Sequence, residues 1–269
     1  MKKAWMAMVA VAILVAVGSP AVASVTLSDG NSVATFDLDS AAGLKSWVVD
    51  GIEHINQQWF WYRLGTSGGE YAVNTLDPAN YFSRTSDSNG DGDNETLYVR
   101  YAGTGLQVEM TFLLTGGADN THMSDMAETI RITNTSVAPI DFHFFQYVDF
   151  NLAGTAGDDT VVIEGGNTVR QSSGDTYVAE TVVTPLPTHY TAGLATGLYS
   201  SLTDGSPTTW GDVTGPITGD VAWAFEWDRT IGAGRSLVIS KDKNIVPEPA
   251  TMVLMGAGLM MSMVLRRKR

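Results

Sequence analysis

The densest run of oxygen donors in the sequence is Asp87-Ser88-Asn89-Gly90-Asp91-Gly92-Asp93-Asn94-Glu95. Asp87, Asn89, Asp91, Asp93 and Glu95 offer ligands at alternate positions, and Gly92 falls at position six, a spacing that wraps a hard cation such as Ca2+. Position twelve is Tyr98, where a bidentate Glu would close such a loop, so Asp77 or another distant carboxylate would have to complete the shell. The competing reading is a solvated Asn/Asp/Gly turn. Trp59 and Trp61 alternate along one segment and share a face. Exposed, they would form a ledge for stacking on sugar rings; otherwise the segment is a strand buried between a sheet and a covering loop. Glu226 and Asp228 also share a face, beside Trp223, Phe225 and Trp227, either as a carboxylate pair for sugar chemistry or as a solvent-facing polar edge. Gly65-Thr66-Ser67-Gly68-Gly69 has the form of a nucleophile elbow, but the residues that follow lack helical periodicity and include Pro78. His54, His122, His143 and His189 form no His-x-x-x-His pair, so a zinc centre is not expected from spacing.

These residues must be positioned by short strands. Residues 106–114 alternate strictly, with Leu106, Val108, Met110, Phe112 and Leu114 on one side, as suits a strand with one buried face. They should pair with residues 96–101 across a Gly-containing turn. Asp50-Gly51 should make a type I′ turn between 44–49 and 52–55. Further strands are expected at 32–39, 58–64, 129–134, 140–152, 160–164, 176–183, 221–228 and 236–240. The Gly-rich stretch 193–219 reads as a long loop. Many short strands with no fixed repeat predict an all-β protein, a large antiparallel β-sandwich. The pair 221–227 and 236–240 resembles the closing hairpin of large carbohydrate-associated sandwiches.

Composition narrows the function. The 269 residues include no Cys, which removes disulfides, thiolate nucleophiles and Cys-based metal centres. The net charge is -13, a poor match to nucleic acid. A hydrophobic content of 44% is enough for a core. The charge is unevenly placed. Residues 24–246 hold 10 basic and 28 acidic residues, a net of -18, and the cations that offset it lie at the two ends.

Both ends read as targeting segments. Lys2 and Lys3 precede an apolar run over 4–17, and Ala21-Val22-Ala23 offers a cleavage site before Ser24, the pattern of a signal peptide helix. At the other end Pro247-Glu248-Pro249 precedes an uncharged run over 250–265, expected as a transmembrane helix. Arg266, Arg267, Lys268 and Arg269 would then stay on the cytoplasmic side. This order of Pro-Glu-Pro, apolar helix and basic tail resembles the PEP-CTERM sorting signal of exported bacterial proteins. The resemblance implies recognition by an exosortase after passage through the secretion machinery, processing near Pro247, Glu248 and Pro249, and a link to extracellular polysaccharide.

The expected organisation is a signal peptide at 1–23, a β-sandwich at 24–246 and a sorting signal at 247–269. The expected role is a non-enzymatic envelope or extracellular-matrix protein, stabilised by Ca2+ if the 87–95 loop binds it. A carbohydrate-binding module or carbohydrate-active enzyme on the same scaffold is the alternative.

Overall fold

The computed structural model describes residues 24–77 and 81–247. The expected signal peptide helix, the transmembrane helix, Glu248, Pro249 and the basic tail all lie outside the described residues. Among the described residues, no helix is long and apolar enough to cross a membrane.

Two nine-stranded sheets hold one core between them. The first half of the chain forms β1 (Ser24–Asp29), β2 (Ser32–Asp37), β3 (Gly43–Val49), β4 (Ile52–Glu53), β5 (Ile55–Leu64), β6 (Tyr71–Ala72), β7 (Phe82–Ser86), β8 (Thr96–Gly103) and β9 (Leu106–Gly116). It continues through β10 (Ser124–Asn134), β11 (Ile140–Phe150), β12 (Asp159–Glu164), β13 (Thr168–Ser173) and β14 (Thr176–Thr184). The last part forms β15 (His189–Leu194), helix α1 (Ala195–Thr203), β16 (Ile217–Gly219), β17 (Val221–Ile231) and β18 (Ser236–Pro247). One sheet runs β1-β2-β3-β5-β11-β17-β15, with β4 and β6 at its margins. The other runs β16-β12-β13-β14-β18-β10-β9-β8-β7. Among the described residues the strands pair antiparallel except for a short parallel contact between β3 and β5, and an isolated parallel bridge joins Thr191 to Val213.

The elements follow from local chemistry. Asp50 and Gly51 both take positive φ, 49° and 79°, as the expected tight turn requires. β8 and β9 pair from Thr96↔Leu113 to Gly103↔Leu106, and the apolar side of β9 is buried. Between the sheets Phe36 meets Phe112 at 4.8 Å, and Phe60 stacks on Phe144 at 5.5 Å. At Gly43 (φ +55°) an added Cβ would lie 2.2 Å from the Trp59 ring, so only glycine lets β3 approach β5 there.

Two expectations need correction. β17 and β18 do not form a closing hairpin, because they lie in different sheets and the intervening turn carries the chain across the sandwich. The 193–219 stretch is not a plain loop either. It contains α1 and β16, and α1 packs against β11, β15 and β17.

The core also encloses charge. Glu128 on β10, Glu180 on β14, and Lys241 and Lys243 on β18 all point inward and are buried. Register brings them together: Glu128 is opposite Lys241, and Glu180 is opposite Lys243. Lys241 Nζ lies 2.6 Å from Glu128 Oε2 and 3.1 Å from Glu180 Oε1, while Lys243 Nζ lies 2.5 Å from Glu128 Oε1. The facing sheet completes the network. Gln58 Nε2 donates to Glu128, Gln146 Nε2 to Glu180 at 2.7 Å, and Trp223 Nε1 to Glu180 at 2.9 Å. Burial alone would raise the Glu128 carboxyl, but the two ammonium groups hold it down to about 2.

Asp125 and Asp242 lie near the end of this same sheet. Burial, joined by the Asp242 charge, pushes the Asp125 carboxyl up to about 6. The unfolded chain releases this proton near pH 4 and the folded one near pH 6, so stability falls as pH rises through that window. Asp125→Asn is therefore expected to stabilise the protein by about 1 kcal/mol above pH 6, allowing for solvent screening of a half-buried group, and to be neutral below pH 4. Urea unfolding at pH 4 and pH 8 checks this; equal effects at both pH values would contradict it.

Candidate functional site

The outer face of the first sheet carries the chemistry. Along β11, Phe142, Phe144 and Gln146 turn inward, which sends Asp141, His143, Phe145 and Tyr147 outward. Along β17, Trp223, Phe225 and Trp227 take one side, leaving Ala222, Ala224, Glu226 and Asp228 on the outer face. Register then assembles a cluster. His143 is directly opposite Asp228 on β11 and β17, and His189 is directly opposite Glu226 on β15 and β17.

The side chains meet closely. His143 Nδ1 pairs with Asp228 Oδ1 and lies 3.9 Å from Glu226 Oε1. Asp141 Oδ2 lies 3.7 Å from the other ring nitrogen of His143. His189 Nε2 is 4.0 Å from Asp228 Oδ2, and its Nδ1 is 3.2 Å from Asp212 Oδ1. Glu226, Asp228 and His143 can each present one ligand atom within 4.8 Å of the others. The segment after α1 covers this cluster: Trp210 N–H donates to Glu226 Oε2 at 2.9 Å. Arg63 holds the cover's flank by pairing with Glu70 and donating to Thr208 O at 2.8 Å. Glu226 is 0% exposed, and its second oxygen, Oε1, has no hydrogen-bond partner. Burial pushes the Glu226 carboxyl up to about 8. The Trp210 N–H opposes that shift and the Asp228 charge adds to it.

Spacing did not reveal this cluster, because its members come from three strands and lie up to 85 residues apart. The shared face of Glu226 and Asp228 was legible. The burial of Glu226 was not: it lies beneath the Trp210 segment, while Asp228 stays part-exposed.

The other sequence candidates separate. Trp59 and Trp61 are 0% and 2% exposed, so of the two readings of this segment the covered strand holds and the exposed sugar ledge does not. Trp59 Nε1 donates to Asn74 Oδ1 at 3.2 Å. Trp61 packs edge-on against Tyr147 and Tyr199, the latter contributed by α1. Ser67 lies in the bend between β5 and the antiparallel β6, so a strand and not a helix follows it and the strand–helix elbow is not formed. In the acidic loop, Asp87, Asp91 and Glu95 bring carboxylate oxygens within 4.8 Å of one another. Asp93 is not in that group. Asn89 Nδ2 donates to Asp29 and Asp91, and Asp93 N–H donates to Asp91 Oδ1. Glu95 is 2% exposed. Its Oε1 accepts from Ser88 and Asn89, while its Oε2 has no hydrogen-bond partner. Of the sorting residues, Pro247 ends β18, opposite Thr176.

Comparison with known proteins supplies the class. Residues 246–269 match the family described as the PEP-CTERM protein-sorting motif. The chain is therefore a PEP-CTERM domain-containing protein. No curated protein matches it. Its fold is similar to a bacterial glucoamylase solved with acarbose, at TM-score 0.57 and 7% identity, over 87% of this chain and 35% of that one. It is also similar to the Slr1438 protein from Synechocystis sp. PCC 6803, at TM-score 0.53 and 8% identity, over 90% of this chain and 100% of that one. The chain thus spans about a third of the glucoamylase's length. At these identities the likeness is one of fold.

Proposed function

We propose that the protein is an exported cell-envelope or extracellular-matrix protein, sorted by an exosortase, whose β domain is displayed in a structural or binding role. The observation that carries this is the junction between domain and signal. The matched motif begins at Val246, which still pairs with Tyr177 inside β18. β18 lies between β14 and β10, and the buried Lys241 and Lys243 anchor it a few residues upstream. Processing within Pro247–Glu248–Pro249 would leave every core strand intact, so the exported unit would be residues 24–246. The signal peptide at 1–23 would engage the secretion machinery. The 250–265 helix would halt in the inner membrane with Arg266, Arg267, Lys268 and Arg269 behind it. Replacing Pro247, Glu248 and Pro249 together by Ala in the native host tests this. The variant is expected to accumulate unprocessed in the inner-membrane fraction; wild-type distribution and mass would contradict the reading.

The alternative, a carbohydrate-binding module or carbohydrate-active enzyme, draws on the paired Glu226 and Asp228. The enclosure of Glu226 under Trp210 weighs against it, since a sugar ring cannot reach that carboxylate without displacing the cover. Polysaccharide turnover lost on Glu226→Gln would favour the enzyme.

The 87–95 loop fits a stabilising Ca2+ held by Asp87, Asp91 and Glu95, the free Glu95 Oε2 being the atom that lacks a partner. Isothermal titration is expected to show one weak site in the full chain, lost on Asp91→Ala. Absence of heat with the unaltered protein would end the idea.

A further inference from the structure

We propose that His143, Glu226 and Asp228 form a binding site for a first-row transition-metal dication such as Zn2+, with His189 as a fourth ligand on its open side. This is independent of the sorting role and of the acidic loop.

Geometry supports the site first. The three donors lie on adjacent antiparallel strands, β11 and β17, within 4.8 Å of one another. Zinc holds such donors at roughly 2.0–2.2 Å, so modest rotation of the side chains would close the shell. The present His143–Asp228 contact and the 3.9 Å gap from His143 to Glu226 are the two spacings that would change.

The second support is an unmet need. Glu226 is fully buried, and its Oε1 faces the His143 ring with no hydrogen-bond partner. As a carboxylate this buried group would be uncompensated, and a cation taking the place of its proton would recover that cost. The surroundings are anionic. Asp141 and Asp212 flank the cluster, Arg63 is committed to Glu70, and Arg229 is bonded to the backbone oxygens of Asp228 and Leu186.

The third support lies behind the ligands. Metal-binding imidazoles usually hold a carboxylate on the nitrogen facing away from the metal. Asp212 occupies that position on His189 Nδ1, which leaves Nε2 toward Asp228. Asp141 lies 3.7 Å from His143 Nε2, leaving Nδ1 toward Glu226 and Asp228. Asp212 takes a left-handed backbone, φ 57°, and also accepts the Tyr190 N–H at 3.1 Å, which fixes its carboxylate. The two imidazoles decide the metal class, since Ca2+ and Mg2+ prefer oxygen-only shells. Entry is from the side of His189 and Asp228, whose side chains are 31% and 28% exposed.

The test uses the full-length protein stripped with a chelator and titrated with ZnCl2. One site per chain is expected. Affinity should fall at least tenfold in Asp228→Asn and in His143→Gln and stay unchanged in Asp91→Ala, with circular dichroism confirming that each variant is folded. Zinc-edge X-ray absorption on the unaltered protein gives a second readout that needs no variant: a shell of nitrogen and oxygen with imidazole scattering is expected. Failure of the folded wild type to take up zinc would overturn the proposal. So would an oxygen-only shell, or wild-type affinity in both folded ligand variants.

Discussion

Lys243→Met is expected to destabilise the protein by about 3–5 kcal/mol, measured as unfolding free energy in guanidinium chloride. The reason is not the strength of a salt bridge. Moving two ammonium groups and two carboxylates out of water is costly, and within the described core they offset one another. Lys243 Nζ bonds Glu128 Oε1 and Gln58 Oε1, each at 2.5 Å. Its removal leaves Glu180 and Glu128 to share Lys241 alone, with one buried negative charge uncompensated. The same argument predicts a rescue. Adding Glu128→Gln to Lys243→Met restores neutrality, so the double variant should be more stable than Lys243→Met alone. A loss under 1 kcal/mol for the single variant, or no recovery in the double, would mean that water reaches this network. The contribution is also pH-dependent. The Glu128 carboxyl titrates near 2 when folded, below its ordinary value of 4.5. The stability it contributes is therefore present above about pH 4.5 and lost as pH falls toward 2.

Trp223→Ala should cost a similar amount, about 3–5 kcal/mol, by two separable routes. The indole stacks on Phe150 at 5.6 Å and fills the space between the sheets. Its Nε1–H is also one of the donors that satisfy Glu180. Trp223→Phe keeps most of the packing and removes the donor, so it isolates the second route, at about 1–3 kcal/mol. Equal losses in the two variants would assign the whole effect to the hydrogen bond. No loss in Trp223→Phe would show that Glu180 is satisfied by Lys241 and Gln146 alone.

The limits of the sequence reading share one physical cause. β9 was legible because only one of its faces is buried, so Leu106 to Leu114 alternate. β11 and β17 bury both faces over most of their length, and alternation carries no information there. What covers the outer face is α1 and the segment that follows it. Their Gly, Ser and Thr content gives almost no helical periodicity, so the stretch read as a loop. Without that cover Glu226 reads as a solvent-facing residue, and both readings of Trp59 and Trp61, buried strand and exposed ledge, stay open. The histidine–carboxylate cluster is hidden too, because His143, His189, Glu226 and Asp228 meet only through strand register. The inward side was harder still. Nothing in the local sequence marks Glu128, Glu180, Lys241 and Lys243 as buried; pairing places them opposite one another. The C-terminal motif needed no fold to be read, because linear order is itself the signal.

The central claim is that this β domain is delivered and processed through its C-terminal motif. Intact-mass spectrometry of the cell-associated and released forms from the native host tests it most directly. The account predicts a mature chain beginning at Ser24 and ending near Pro247–Pro249, with Arg269 absent. Recovery of Arg269 in both forms would contradict it and leave simple membrane anchoring in its place.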